Sequence, residues 1–125
     1  MRSDEFDRLV EWAYAGIPAR FRRRLKNVAV MVEAEPSRQQ LEEAGVGPGG
    51  TLLGLYQGRP LTVRSVFESF ALPDRITIFQ GPHERLSRTQ AELEKMVFDT
   101  VWHEIAHHFG MDEPRVRRAE RRRKN

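Results

Sequence analysis

The segment from Ser87 to Phe109 constrains the fold more than any other stretch, because it reads as one long helix with too much apolar surface to lie on the outside. At about 100° per residue, Leu93, Val97, Phe98, Val101, Trp102, Ile105, Ala106 and Phe109 cover an arc of roughly 220°, where a surface helix needs only a stripe. Such a helix must be packed on more than one side. Ser87 or Thr89 supplies its N-terminal cap and Glu92 an acid in the first turn. The apolar arc leaves a narrow face bearing Glu92, Met96, Asp99, Thr100, His103, Glu104 and His107. Buried there, these polar groups would require partners.

His103 and His107 stand one turn apart on that face, so two imidazoles can reach one ion. Glu104 follows the first of them, and the helix step sets its carboxylate beside such an ion, where it can take a proton from water that the metal activates. This is the H-E-x-x-H pattern of metal-dependent peptidases. Gly110 falls at the helix exit, where a left-handed residue lets the chain turn away, and oxygen ligands follow at Asp112 and Glu113. A catalytic zinc takes three protein ligands and keeps a fourth position open. The chain has no cysteine, so nitrogen and oxygen must supply them all.

Other polar residues near the motif carry less. Asp99, one turn before His103, can accept its second ring N–H, or else is an exposed helix acid. His108 points some 100° from His107, away from the same ion, and reads as a rim or core residue. His83, in the sequence Gly-Pro-His-Glu, reads as an exposed loop histidine rather than a cleft residue. Tyr56 is a candidate for steadying an oxyanion, though nothing in its spacing requires it.

The stretch HEIAHHFGMDE, residues 103–113, resembles the extended zincin motif H-E-x-x-H-x-x-G-x-x-(H/D) of metzincins and of small bacterial metallopeptidase-like proteins of the minimal zincin type. Little chain follows for a metzincin methionine turn, and Met111 lies inside the motif, so the likeness is to the small bacterial group. The resemblance implies an α+β, zincin-like fold: a small mixed sheet of about three or four strands packed on the long active-site helix. It further implies Zn²⁺ held by His103, His107 and Glu113, Glu104 as general base, and a peptide or protein substrate. Glu113 stands where the family has His or Asp and is one methylene longer than Asp, so Asp112 remains an alternative third ligand. In zincin-like folds an extended peptide pairs with a strand at the sheet edge. The sequence leaves open which strand that is.

At 125 residues and 39% apolar content the chain fits one globular domain. Residues 114–125 hold seven Arg or Lys against one Glu, so the net charge of +3 conceals residues 1–113 at −3. The expected organisation is a zincin-like domain over 1–113 and a basic tail over 114–125. That tail can attract phosphates, but it has no aromatic residue for base stacking, and a solubilising end is the expected reading over nucleic-acid binding. No apolar run approaches the roughly 18 residues of a membrane span, and the first residues lack the order of a signal peptide, so a cytoplasmic chain without membrane contact is expected. Two alternatives to a peptidase stay open: a zinc protein without catalysis, and a zinc hydrolase directed to nucleic acid by its tail.

Upstream, Phe6, Leu9, Val10 and Ala13 predict a helix over Asp4–Tyr14, capped by Ser3 and Asp4 and stopped by Gly16. Pro18, Phe21 and Leu25 predict a short basic amphipathic helix. Alternation over Asn27–Glu35 predicts a strand, and Ser37 with Gln40 a capping box opening a helix through Ala44. Five glycine or proline residues between Gly45 and Gly50 read as a loop. Strands are predicted over Thr51–Gln57, irregular at Gly54, and Arg75–Gln80, stopped by Gly81-Pro82. Leu61–Leu72 reads as either a short helix or an extended loop.

Overall fold

The computed structural model describes residues 1–25, 28–58 and 74–109. The reading of Leu61–Leu72, the glycine exit at Gly110, the candidates Asp112 and Glu113, and the tail fall outside the described residues. Along the chain run α1 (Ser3–Ala15), α2 (Ala19–Arg22), β1 (Val28–Glu33), α3 (Arg38–Glu43), β2 (Gly54–Gln57), β3 (Asp74–Phe79), α4 (Gln80–Leu86) and α5 (Gln90–His108). The three strands form a mixed sheet in the order β1-β3-β2. Val28 to Glu33 pair in parallel with Asp74 to Phe79, and Gly54 to Gln57 run antiparallel to β3 from Ile78 back to Arg75. With helices on this sheet the architecture is the expected α+β arrangement.

The long helix lies at its centre. Val97, Val101, Trp102, Ile105 and Ala106 of α5 are almost wholly buried, packed between Phe6, Val10 and Ala13 of α1 and Ile76 and Ile78 of β3. The wide apolar arc follows from this double contact, since a helix sandwiched between a sheet and a second helix has little solvent-facing surface. Of the two candidate caps, Thr89 is the one used: its hydroxyl accepts from Glu92 N–H at 3.1 Å, while the Glu92 carboxylate accepts from Arg88 N–H at 2.6 Å. The Ser37 capping box forms reciprocally with Gln40.

Elsewhere local signals were outweighed by contacts. The expected caps of α1 do not act as such: Arg2 is the N-cap, without a side-chain bond, and Asp4 lies in the first turn, where its charge suits the helix dipole and pairs with Arg2 and Arg8. Gly16 ends α1, and a Cβ there would lie 2.7 Å from the Phe98 ring, so the glycine also admits α5. Gln80, expected to end the strand, and Gly81-Pro82, expected to stop it, instead open α4; Pro82 falls in its first turn, where a missing N–H breaks no helical bond. β2 pairs regularly from Gly54 onward, with no irregularity at that glycine. A Cβ on Gly54 would lie 2.8 Å from Thr100 Cγ2 and 3.1 Å from Glu104 Cγ, so its role is to let the strand close onto α5.

Candidate metal centre

That close approach sets one wall of the site. β2 and α5 meet at Gly54, and beside the contact opens a cleft of about 790 Å³. Its lining includes Leu52, Leu53, Met96, Thr100, His103 and Glu104. Leu86 stands on the rim, 52% exposed, which accounts for an apolar side chain left in solvent at the end of α4.

The spacing of H-E-x-x-H on α5 brings the two imidazoles to 4.5 Å between ring centroids, with planes 69° apart. Glu104 between them is buried at 6% exposure, and its Oε1 lies 3.4 Å from His107 Nδ1. Ligand-capable atoms of His103, Glu104 and His107 all fall within 4.8 Å of one another. Zinc bonds of about 2.0–2.2 Å place two donors within about 4.2 Å of each other, close to this spacing, so the two imidazoles could share an ion with the Glu104 carboxylate beside it. The donor chemistry, two imidazole nitrogens and carboxylate oxygen, is what zinc prefers in the absence of thiolate. Both histidines are half-buried, and of the three residues His103 and Glu104 line the cleft.

The remaining polar candidates differ in how they match their sequence reading. Asp99 accepts from Lys95 Nζ at 2.7 Å on the rim of the cleft, the pairing expected of an acid one turn after a lysine. His83, expected in an exposed loop, is completely buried behind α5. Its Nδ1 donates to the Phe79 carbonyl at 2.7 Å, leaving Nε2 of the neutral ring to accept from the Thr100 hydroxyl at 2.9 Å. Burial holds its pKa below the usual histidine value, the bond to Phe79 opposing in part. The neighbourhood of Thr100 is thereby fixed from behind.

His108 is a core residue, one of the two places its helical angle allowed. Its Nδ1 donates to Asp74 Oδ2 at 2.8 Å, and the same carboxylate oxygen accepts from Tyr56 Oη at 2.7 Å. Tyr56 is thus bonded at the start of β3 and not directed at the cleft as an oxyanion donor. Asp74 is the residue that sequence reasoning missed. Pro73-Asp74 looks like turn punctuation, and no local signal connects an acid to a histidine 34 positions away.

Among the described residues no helix is long and apolar enough to cross a membrane. No curated protein matches the sequence. A solved structure, a conserved hypothetical protein from Thermo thermophilus, is similar at 27% identity and a TM-score of 0.58, over 87% of this chain and 94% of that one. The model of the zincin-like metallopeptidases matches residues 25–123, a span that takes in the sheet, the cleft and α5 together with the chain beyond it, and the chain belongs to that family.

Proposed function

We propose that the chain is a zinc-dependent hydrolase, a metallopeptidase that cleaves peptide bonds, with His103, His107 and Glu113 holding the metal and Glu104 acting as general base. The observation that carries the reading is the gathering of two half-buried imidazoles and a buried carboxylate, of which His103 and Glu104 line a cleft large enough for a peptide segment. Zinc bound there would polarise a carbonyl and make water nucleophilic near neutral pH. Glu104 takes the proton as water adds to the carbonyl carbon, and hands it to the nitrogen as the C–N bond breaks.

The position of β2 favours a peptide over a compact substrate. Among the described residues it lies at the sheet edge, and its start, with Leu52 and Leu53 before it, borders the cleft. An extended backbone running there would gain affinity from main-chain bonds with little demand on sequence.

Elemental analysis and a peptide-library assay test this together. Purified protein should carry one equivalent of zinc, lost in His107→Ala with a fall in melting temperature. Glu104→Gln should keep the metal and lose about 10²–10⁴-fold in turnover, the usual contribution of a general base. Hydrolysis at the wild-type rate in that variant would refute the role of Glu104. Zinc retained with no cleavage in any library would make the ion a brace for a small core.

A further inference from the structure

The last turn of a helix is where it frays, because its final carbonyls have no partners further along the chain. In α5 that turn also carries His107, and Phe109 N–H is shared between the carbonyls of Ile105 at 3.3 Å and Ala106 at 3.1 Å, as is common at a helix end. One residue after His107, the buried His108 is tied to Asp74, which is tied to Tyr56. Asp74 opens β3 and Tyr56 lies in β2, so a single carboxylate fastens the end of α5 to two strands. Gly58 completes the cradle: its φ is +150°, and a Cβ there would collide with Asp74 Oδ1.

Stability alone gives little reason for this arrangement. A buried ion pair or charge-assisted network is often no more stabilising than apolar groups of the same volume, and its distinctive property is that it permits one geometry. We infer that Asp74 is a positioning residue for the metal centre: through His108 it fixes the last turn of α5, and so the place of His107. This rests on the metal reading given above. A site held in place before the ion arrives does not have to be ordered at the expense of affinity.

The test is hydrogen exchange on the metal-free protein together with zinc affinity by chelator competition, for wild type, Asp74→Asn and the milder Tyr56→Phe. Val97→Ala, a core truncation in the same helix away from the carboxylate, serves as the control for lost stability. In Asp74→Asn the amides of residues 105–109 should exchange at least about tenfold faster, with the middle of α5 unchanged. Zinc should bind about 10–100-fold more weakly, the range seen when groups supporting a metal site are removed. Tyr56→Phe should move both in the same direction by less, and it provides the result should Asp74→Asn fail to fold. Unchanged exchange, unchanged zinc affinity, or an equal loss of affinity in Val97→Ala would overturn the inference and leave the carboxylate a general stabiliser. A wild-type chain that takes up no zinc would instead sink the metal reading and the positioning role with it, while the exchange data still reported whether Asp74 pins the turn.

Discussion

A single methyl group at Gly54 should damage both the fold and the site, by amounts that follow from the space around it. Its Cβ would lie 2.8 Å from Thr100 Cγ2, 3.1 Å from Glu104 Cγ and 3.3 Å from the Thr77 carbonyl oxygen. Carbon atoms rest at about 3.5–4.0 Å, so Thr100 must retreat by about 0.7 Å and Glu104 by about 0.4 Å, or the strand must lift from the helix. Thr100 has little freedom to move, since His83 holds its hydroxyl from behind. Overpacking of this kind costs about 1–3 kcal/mol, while replacing glycine returns about 0.4–1 kcal/mol by restricting the unfolded chain. At the centres of the two ranges the net loss is about 1–2 kcal/mol. Unfolding entropy of about 2.1 cal/mol/K per residue over 125 residues converts this to a fall of roughly 4–8 °C in melting temperature. Displacing Glu104 by several tenths of an ångström should also cut kcat/KM by about 10-fold or more, because a misplacement of about 1 Å can cost 10². Calorimetry and kinetics on the best library peptide measure the two effects. Gly47→Ala is the control: nothing lies within 4 Å of a Cβ at that position, so its stability should hold or rise slightly. A Gly54→Ala protein that melts no lower than Gly47→Ala, with full activity, would refute the close approach of β2 to α5 and the role given to this glycine.

Two further predictions concern protons. Burial lowers the pKa of His83 from its ordinary 6.5, so below that pH the unfolded chain takes up a proton that the folded chain resists; the stability contributed by the neutral ring is present above 6.5 and is lost as pH falls toward the folded value. Melting temperature should therefore drop between pH 7.5 and 5.5 more steeply in wild type than in His83→Gln, and equal slopes would refute this. Arg85 holds the exposed Glu35 carboxyl below its usual 4.5 through bonds of 2.7 and 2.9 Å, so Arg85→Ala should move the NMR titration of Glu35 upward, and an unmoved titration would show that the pair does not persist in solution.

What the sequence determined by itself is everything that one element's own geometry decides. A period of 3.6 residues fixes which side chains of α5 share a face, so its central placement, the meeting of His103, Glu104 and His107, and the divergence of His108 were legible before any neighbour was known. The Ser37 capping box is equally local, because its partners lie three residues apart. Only the tertiary structure decided what lies opposite each face. The strand order, the burial of His83, the need for glycine at 54 and the joining of Tyr56, Asp74 and His108 each depend on segments far apart in the chain. Such contacts leave no periodic trace, since they require only that two surfaces be complementary where packing brings them together. An exposed turn acid and a buried carboxylate that fastens a helix to two strands are written with the same letter, and the fold alone distinguishes them.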